Sequence, residues 1–194
     1  MFYTNFTVRG PSSRSVIEVL RSAERDAWAA TVEDTTVVCD RMADAFDPDE
    51  IELFARLLSS KLRTPVLTAI NHDDDVLLCL LHAGTELIFQ YTSNRGYFGS
   101  GEPGPEGDDP ALLAQAFRRE DRVADVRRVL ELDVDDDDGQ GAGGGGTASS
   151  SAADRHTALC DALGLPRIAV GVSYDGVAEG ELPAALADVA FLRI

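Results

Sequence analysis

His72, Asp73, Asp74 and Asp75 stand in a row, with His82 and Glu86 about one strand further along. Imidazole and carboxylate together make a donor set suited to a divalent cation. If the flanking strands pair as a meander, His72, Asp74 and Glu86 are the residues placed to share an ion. They would then serve a metal-dependent hydrolase or a ligand-binding domain. Alternation opposes this reading, because successive side chains of a strand point to opposite faces and the aspartates cannot all aim at one ion. The plainer reading is a polar turn that separates two apolar strands.

Other chemical candidates fail on spacing. Asp133 to Gly139 alternates acids as a calcium loop does, but Asp138 stands where the loop needs its glycine and Gly144 where it needs the closing Glu. Gly171-Val172-Ser173-Tyr174-Asp175-Gly176 approaches a nucleophile elbow, yet its second glycine arrives one residue late. Gly141 to Gly146 follows an acidic run and not a strand, and no Lys-Ser or Lys-Thr comes after it, so it reads as linker and not as a phosphate cradle. His156 and Cys160 are four residues apart on one helical face and could touch, whereas Cys79 lies in an apolar run that would keep its thiol protonated. The sequence implies no cofactor and names no catalytic residue.

A different chemistry fits the glycine-rich stretch from Thr92 to Gly99, which presents Arg95, Tyr97 and Phe98. Arginine and aromatic side chains on a loop anchor interfaces, because each brings a large contact area at modest entropic cost. Tyr174 and Asp175, at a second expected turn, are a weaker companion pair. The bland alternative is that Tyr97 and Phe98 fold back over the sheet.

These residues need a scaffold, and the chain is long enough for one body. It has 194 residues, 44% of them hydrophobic and 26% charged, which describes an ordinary folded protein. Seventeen basic residues stand against 34 acidic ones, for a net charge of −17, and this excludes docking on bare nucleic acid or on an anionic membrane. The amino end has no basic region followed by an apolar stretch, and no apolar run approaches the length of a spanning helix. Cys39, Cys79 and Cys160 are too few and too dispersed for a disulfide framework. A reduced, bacterial-type cytoplasm is the expected setting.

Period and capping signals then give the elements. Phe2 to Val8 reads as a strand, Ser12 or Ser13 caps a helix through Val16, Ile17, Leu20 and Ala23, and Ala27 to Val32 pairs with Thr35 to Cys39 as a hairpin. Asp47, Pro48 and Glu50 form a helix start with a capping box, followed by Ile51, Phe54, Ala55, Leu58 and Leu62 on one face. Thr64 to Ile70, Val76 to Leu81 and Leu87 to Tyr91 read as three meandering strands, the middle one buried on both faces. Asp109 caps a helix, Val123 to Leu130 continues as helix or strand, and Asp154 reopens a helix that Gly164 closes. Ile168 to Tyr174 and Val189 to Ile194 read as strands.

The expected fold is α+β, an antiparallel sheet with helices on one face. Its ferredoxin-like βαββαβ start is extended by the meander, and a smaller carboxy-terminal α/β part follows. In residue ranges, 1–93 is the core, 94–132 a loop with helices, 133–153 an acidic Gly/Ser-rich disordered insertion, and 154–194 a helix with strands packing on the same body. The functional expectation is a non-catalytic interaction or regulatory protein. One concrete version masks a basic partner protein in the manner of an immunity protein, since acidic charge speeds such encounters.

Overall fold

The computed structural model describes residues 2–97, 104–132 and 151–194. Phe98 and most of the expected insertion, residues 133–150, lie outside the described residues.

The first half alternates strands with two helices: β1 (Tyr3–Arg9), α1 (Ser13–Ser22), β2 (Ala27–Val32), β3 (Thr35–Asp40), α2 (Pro48–Leu62) and β4 (Val66–His72). β5 (Val76–Ala83), β6 (Glu86–Thr92) and the short β7 (Glu106–Gly107) follow as a meander. The rest is mainly helical: α3 (Pro110–Ala116), α4 (Val123–Leu130), α5 (Ala152–Leu163) and α6 (Tyr174–Glu179), with β8 (Leu192–Arg193) near the end. Among the described residues the strands form one antiparallel eight-stranded sheet in the order β7-β6-β5-β4-β1-β3-β2-β8.

Local signals place the first two helices. The Ser12 side chain accepts from the Ser15 N–H, and Asp47 accepts from the N–H groups of Asp49 and Glu50, with Pro48 where its missing donor costs nothing. Glu50 does not close a capping box. Its carboxylate turns to Arg25, 3.4 Å away, and the same guanidinium meets Asp40 and lies over the Phe54 ring. Phe54 in turn meets Phe6 edge to face at 4.7 Å. Val16, Leu20, Ile51 and Leu58 join this cluster, so α1 and α2 cover one face of the central strands.

Helices occupy the second face as well, which corrects the expectation of helices on one face only. Leu113, Phe117, Val126, Leu130, Leu159 and Leu163, from α3, α4 and α5, pack on Leu67, Cys79, Leu81 and Phe89. The alternation of β4 and β5 explains why both faces are apolar: each strand feeds two cores.

The carboxy-terminal third also departs from expectation. Ile168 to Tyr174 is not a strand. It is a 3₁₀ turn at Arg167–Ala169, then a turn through Gly171 in left-handed backbone (φ 71°), leading to Ser173, which caps α6. Its apolar residues Ile168, Ala169 and Val172 plug the second face against Val37 and Cys39. The carbonyls of Ala169 and Val172, which a ladder would have satisfied, accept instead from the buried Asn5 side chain at 2.6 and 3.0 Å. The last expected strand shrinks to Leu192–Arg193, paired with Ala29 and Trp28. α5 starts earlier than Asp154. Ser151 caps it, and Ala152, only 2% exposed, is already core, so the expected insertion overran its end by three residues (151–153).

Candidate functional site

The acidic row turns out to be a joint. Asp73 and Asp74 both adopt left-handed backbone (φ 57° and 66°), giving the tight hairpin turn that joins β4 to β5. Asn71 accepts from the Asp74 N–H and donates to its carboxylate. The same carboxylate accepts from the Ala153 N–H at 2.9 Å, while the Asp74 carbonyl accepts from Ala152. Asp74 therefore serves the amino end of α5, where free N–H groups favour an anion.

His72 does not join it. One residue beyond Asn71, its ring lies on the α2 side of the sheet, lining a groove there with Ile70. Glu86 opens β6 opposite Ala83, at the far end of β5 from the His72–Val76 pair. The structure thus does not bring His72, Asp74 and Glu86 together, and among the described residues no group of three or more His, Cys, Asp or Glu could hold a metal ion.

What His72 meets is aromatic. Its ring lies edge-on to Phe2 at 4.8 Å, Phe46 at 6.1 Å and Tyr97 at 5.4 Å, and its Nδ1 is 3.2 Å from the Tyr97 hydroxyl. Phe2 is 46% exposed and Tyr97 36%, so the four rings form an open patch at the end of the sheet where β1 begins and β4 ends. Partial burial, then Asp75 and Asp73, push the Tyr97 phenol above its ordinary range, so the acids of the β4–β5 turn lie on the Tyr97 side of the patch. Arg95, two residues before Tyr97, donates its backbone N–H to Gly104 and places its guanidinium 3.8 Å from Glu106.

Tyr174 takes no part in this patch. It is buried on the opposite face with Val37 and Cys39, and its hydroxyl donates to Asp26 at 2.7 Å. It forms the first turn of α6 and not the expected strand-end turn, while the Asp175 N–H reaches Asp44 at 3.3 Å. Ser173 accepts from the Gly176 N–H as the helix cap. His156 does not meet Cys160 as a catalytic couple. Its Nδ1 lies 2.8 Å from the hydroxyl of Tyr3, and burial pushes the Cys160 thiol up to about 12, which leaves it protonated.

Beside the aromatic patch runs the groove, about 470 Å³ in volume. Its floor is the α2-side of β4 and β5, with Ile70, Leu78, Leu80 and His82, and its walls are Ile51 and Glu52 of α2 and Leu87 of β6. Phe46 and His72 belong to both features. Phe2, Phe46 and the groove residues were not among the sequence candidates. The available signal was Leu78, Leu80 and His82 at two-residue spacing, which puts them on one face of β5.

No family model, curated protein or solved structure matches this chain. No helix among the described residues is long and apolar enough to cross a membrane. The arrangement offers apolar and aromatic contact, hydrogen bonding and negative charge, and these are the means of binding.

Proposed function

We propose that the protein is a non-catalytic interaction module that docks a basic partner protein on the patch formed by Phe2, Phe46, His72 and Tyr97. The observation that carries this reading is the exposure of Phe2 and Tyr97 around a histidine, with Asp73 and Asp75 close to the phenol. Aromatic anchors supply contact area, and Asp73 and Asp75, on a chain of net charge −17, select a partner of opposite sign and speed its approach. Arg95 lies two residues before Tyr97 in the same loop and belongs to the same surface in this reading.

An immunity-like masking of a basic enzyme is the specific form we favour. The platform is then a ferredoxin-like βαββαβ unit, supported by the order β4-β1-β3-β2 with α1 and α2 on one face. A cytoplasmic setting accords with the free, buried thiols of Cys39, Cys79 and Cys160. The metal-dependent alternative has no geometric support.

Selection from a displayed peptide library tests the proposal. Enriched peptides should pair Lys or Arg with an apolar anchor, shift the ring signals of Phe2 and Tyr97, and bind at least tenfold more weakly to the Phe2→Ala/Tyr97→Ala variant. Their affinity should fall steeply between 50 and 500 mM salt. Enrichment of neutral or acidic peptides, or shifts confined to another surface, would refute the docking reading.

A further inference from the structure

We propose that the groove beside α2 is a binding site for a small, uncharged, mainly hydrocarbon molecule carrying one hydroxyl group, with His82 as the hydrogen-bonding partner of that hydroxyl. This goes beyond the docking reading and rests on His82 and the aliphatic lining, although Phe46 and His72 border both features.

Three observations carry it. The first is shape: about 470 Å³ between a strand pair and a helix falls within the range of small-molecule pockets, and Ile51, Ile70, Leu78, Leu80 and Leu87 make its lining largely apolar.

The second is His82. It lines the groove and is wholly buried, and among the described residues neither ring nitrogen has a hydrogen-bond partner. The Ser59 hydroxyl reaches the residue's backbone carbonyl, donating to it at 3.0 Å, and not the ring. A buried imidazole left unpaired on both sides costs stability, so folding alone gives no reason for it. Burial also lowers its proton affinity, and the neutral ring offers one donor and one acceptor. A hydroxyl, which both donates and accepts, is complementary to either nitrogen.

The third is charge. The ionisable groups around the groove are Glu52, whose carboxylate is paired with Arg56, and the two histidines His72 and His82. The Glu52–Arg56 pair sums to zero. A carboxylate ligand would meet Glu52 without a free cation, and a cation would give up its hydration to an apolar floor. An uncharged ligand avoids both penalties.

Access has a structural basis as well. β6 carries a bulge between Leu87 and Phe89, so that Leu87 faces His82 across the strand pair. Leu87 is 41% exposed at the edge of the groove, where a change of its side-chain rotamer would widen the way to the ring.

The test uses three probes that differ at one position: 4-propylphenol, propylbenzene and 4-propylbenzoate. Methyl and imidazole carbon–proton spectra of the full chain should show 4-propylphenol shifting Ile70, Leu78, Leu80 and the His82 ring. It should bind about tenfold more tightly than propylbenzene. His82→Phe should erase that preference while still binding propylbenzene, and should unfold at no lower urea concentration than the unmodified chain. The proposal is overturned by absence of shifts up to the solubility limit, by equal affinity for the phenol and the hydrocarbon, by preference for the benzoate, or by a His82→Phe chain that is less stable. Phe2→Ala/Tyr97→Ala, which abolishes the docking reading's peptide binding, should leave these titrations unchanged, so the two readings fail separately.

Discussion

Arg155→Ala is expected to lower the unfolding free energy by about 4 kcal/mol. Arg155 is 1% exposed in α5, and no carboxylate among the described residues pairs with it. Its Nη1 donates instead to the Tyr91 hydroxyl at 3.0 Å and to the carbonyls of Val129 and Leu132 at 3.1 and 2.7 Å. Those carbonyls are at the carboxy end of α4, where the helix leaves acceptors unpaired and a cation is favourable. Truncation would leave buried acceptors without a donor and open a void between α4, α5 and β6. Two of the guanidinium nitrogens, Nε and Nη2, lack partners among the described residues, and losing their desolvation cost offsets part of the damage. Arg155→Lys keeps the charge without the planar fork and should fall between the two. Urea unfolding at neutral pH reads the effect, and a loss below 1 kcal/mol for the alanine variant would show that these bonds do not hold α5 to α4.

Acidification provides the second large effect. His156 is buried against the Tyr3 ring, and burial pushes its pKa down to about 4 from an ordinary value near 6.5. Above pH 6.5 the ring is neutral whether the chain is folded or unfolded, and it contributes no pH dependence. As pH falls from 6.5 toward 4, the unfolded chain takes up a proton that the folded chain refuses, so stability declines. The total is about 3 kcal/mol, because each pKa unit of difference corresponds to about 1.4 kcal/mol. His82, lowered by burial, acts in the same direction, whereas burial raises the Asp44 carboxyl and works against the trend. A comparison with His156→Phe isolates the one group: the variant's unfolding midpoint should change less between pH 7 and pH 4.5 than that of the unmodified chain. Parallel pH profiles for the two proteins would remove His156 as the acid-sensitive element.

Much of the amino-terminal half could be read because its signals are local. Asp47 and Pro48 sit next to the helix they start, and the alternation in β4 and β5 needs only neighbours. The errors arose where a distant residue decides the outcome. Glu50 abandons a capping box because Arg25 draws its carboxylate, and the apolar run from Ile168 looks the same whether it joins a ladder or plugs a sheet. The difference lies with Asn5, more than 160 positions away, which takes the carbonyls. Tyr97 was legible as an aromatic among glycines, but Phe2 and Phe46 come from separate stretches that only the fold brings to His72. Val76 to Leu81 reads as buried on both faces. Its second face lies only partly under α2, since Leu78 and Leu80 remain half-buried in the groove, and how far a helix reaches across a sheet is not written in either element's periodicity.

The bond between Asp74 and the start of α5 has a further consequence for the covalent chain. Residues 151–194 are tied to the earlier residues by that carboxylate, by Tyr3 with His156, by Asn5, by Arg155 with Leu132, and by the pairing of β8 with β2. These ties cross the same junction that the backbone crosses between Leu132 and Ser151, so continuity of the peptide there duplicates a connection the side chains already make. A polypeptide severed between those points should therefore stay together as a two-piece complex that elutes as one species on gel filtration.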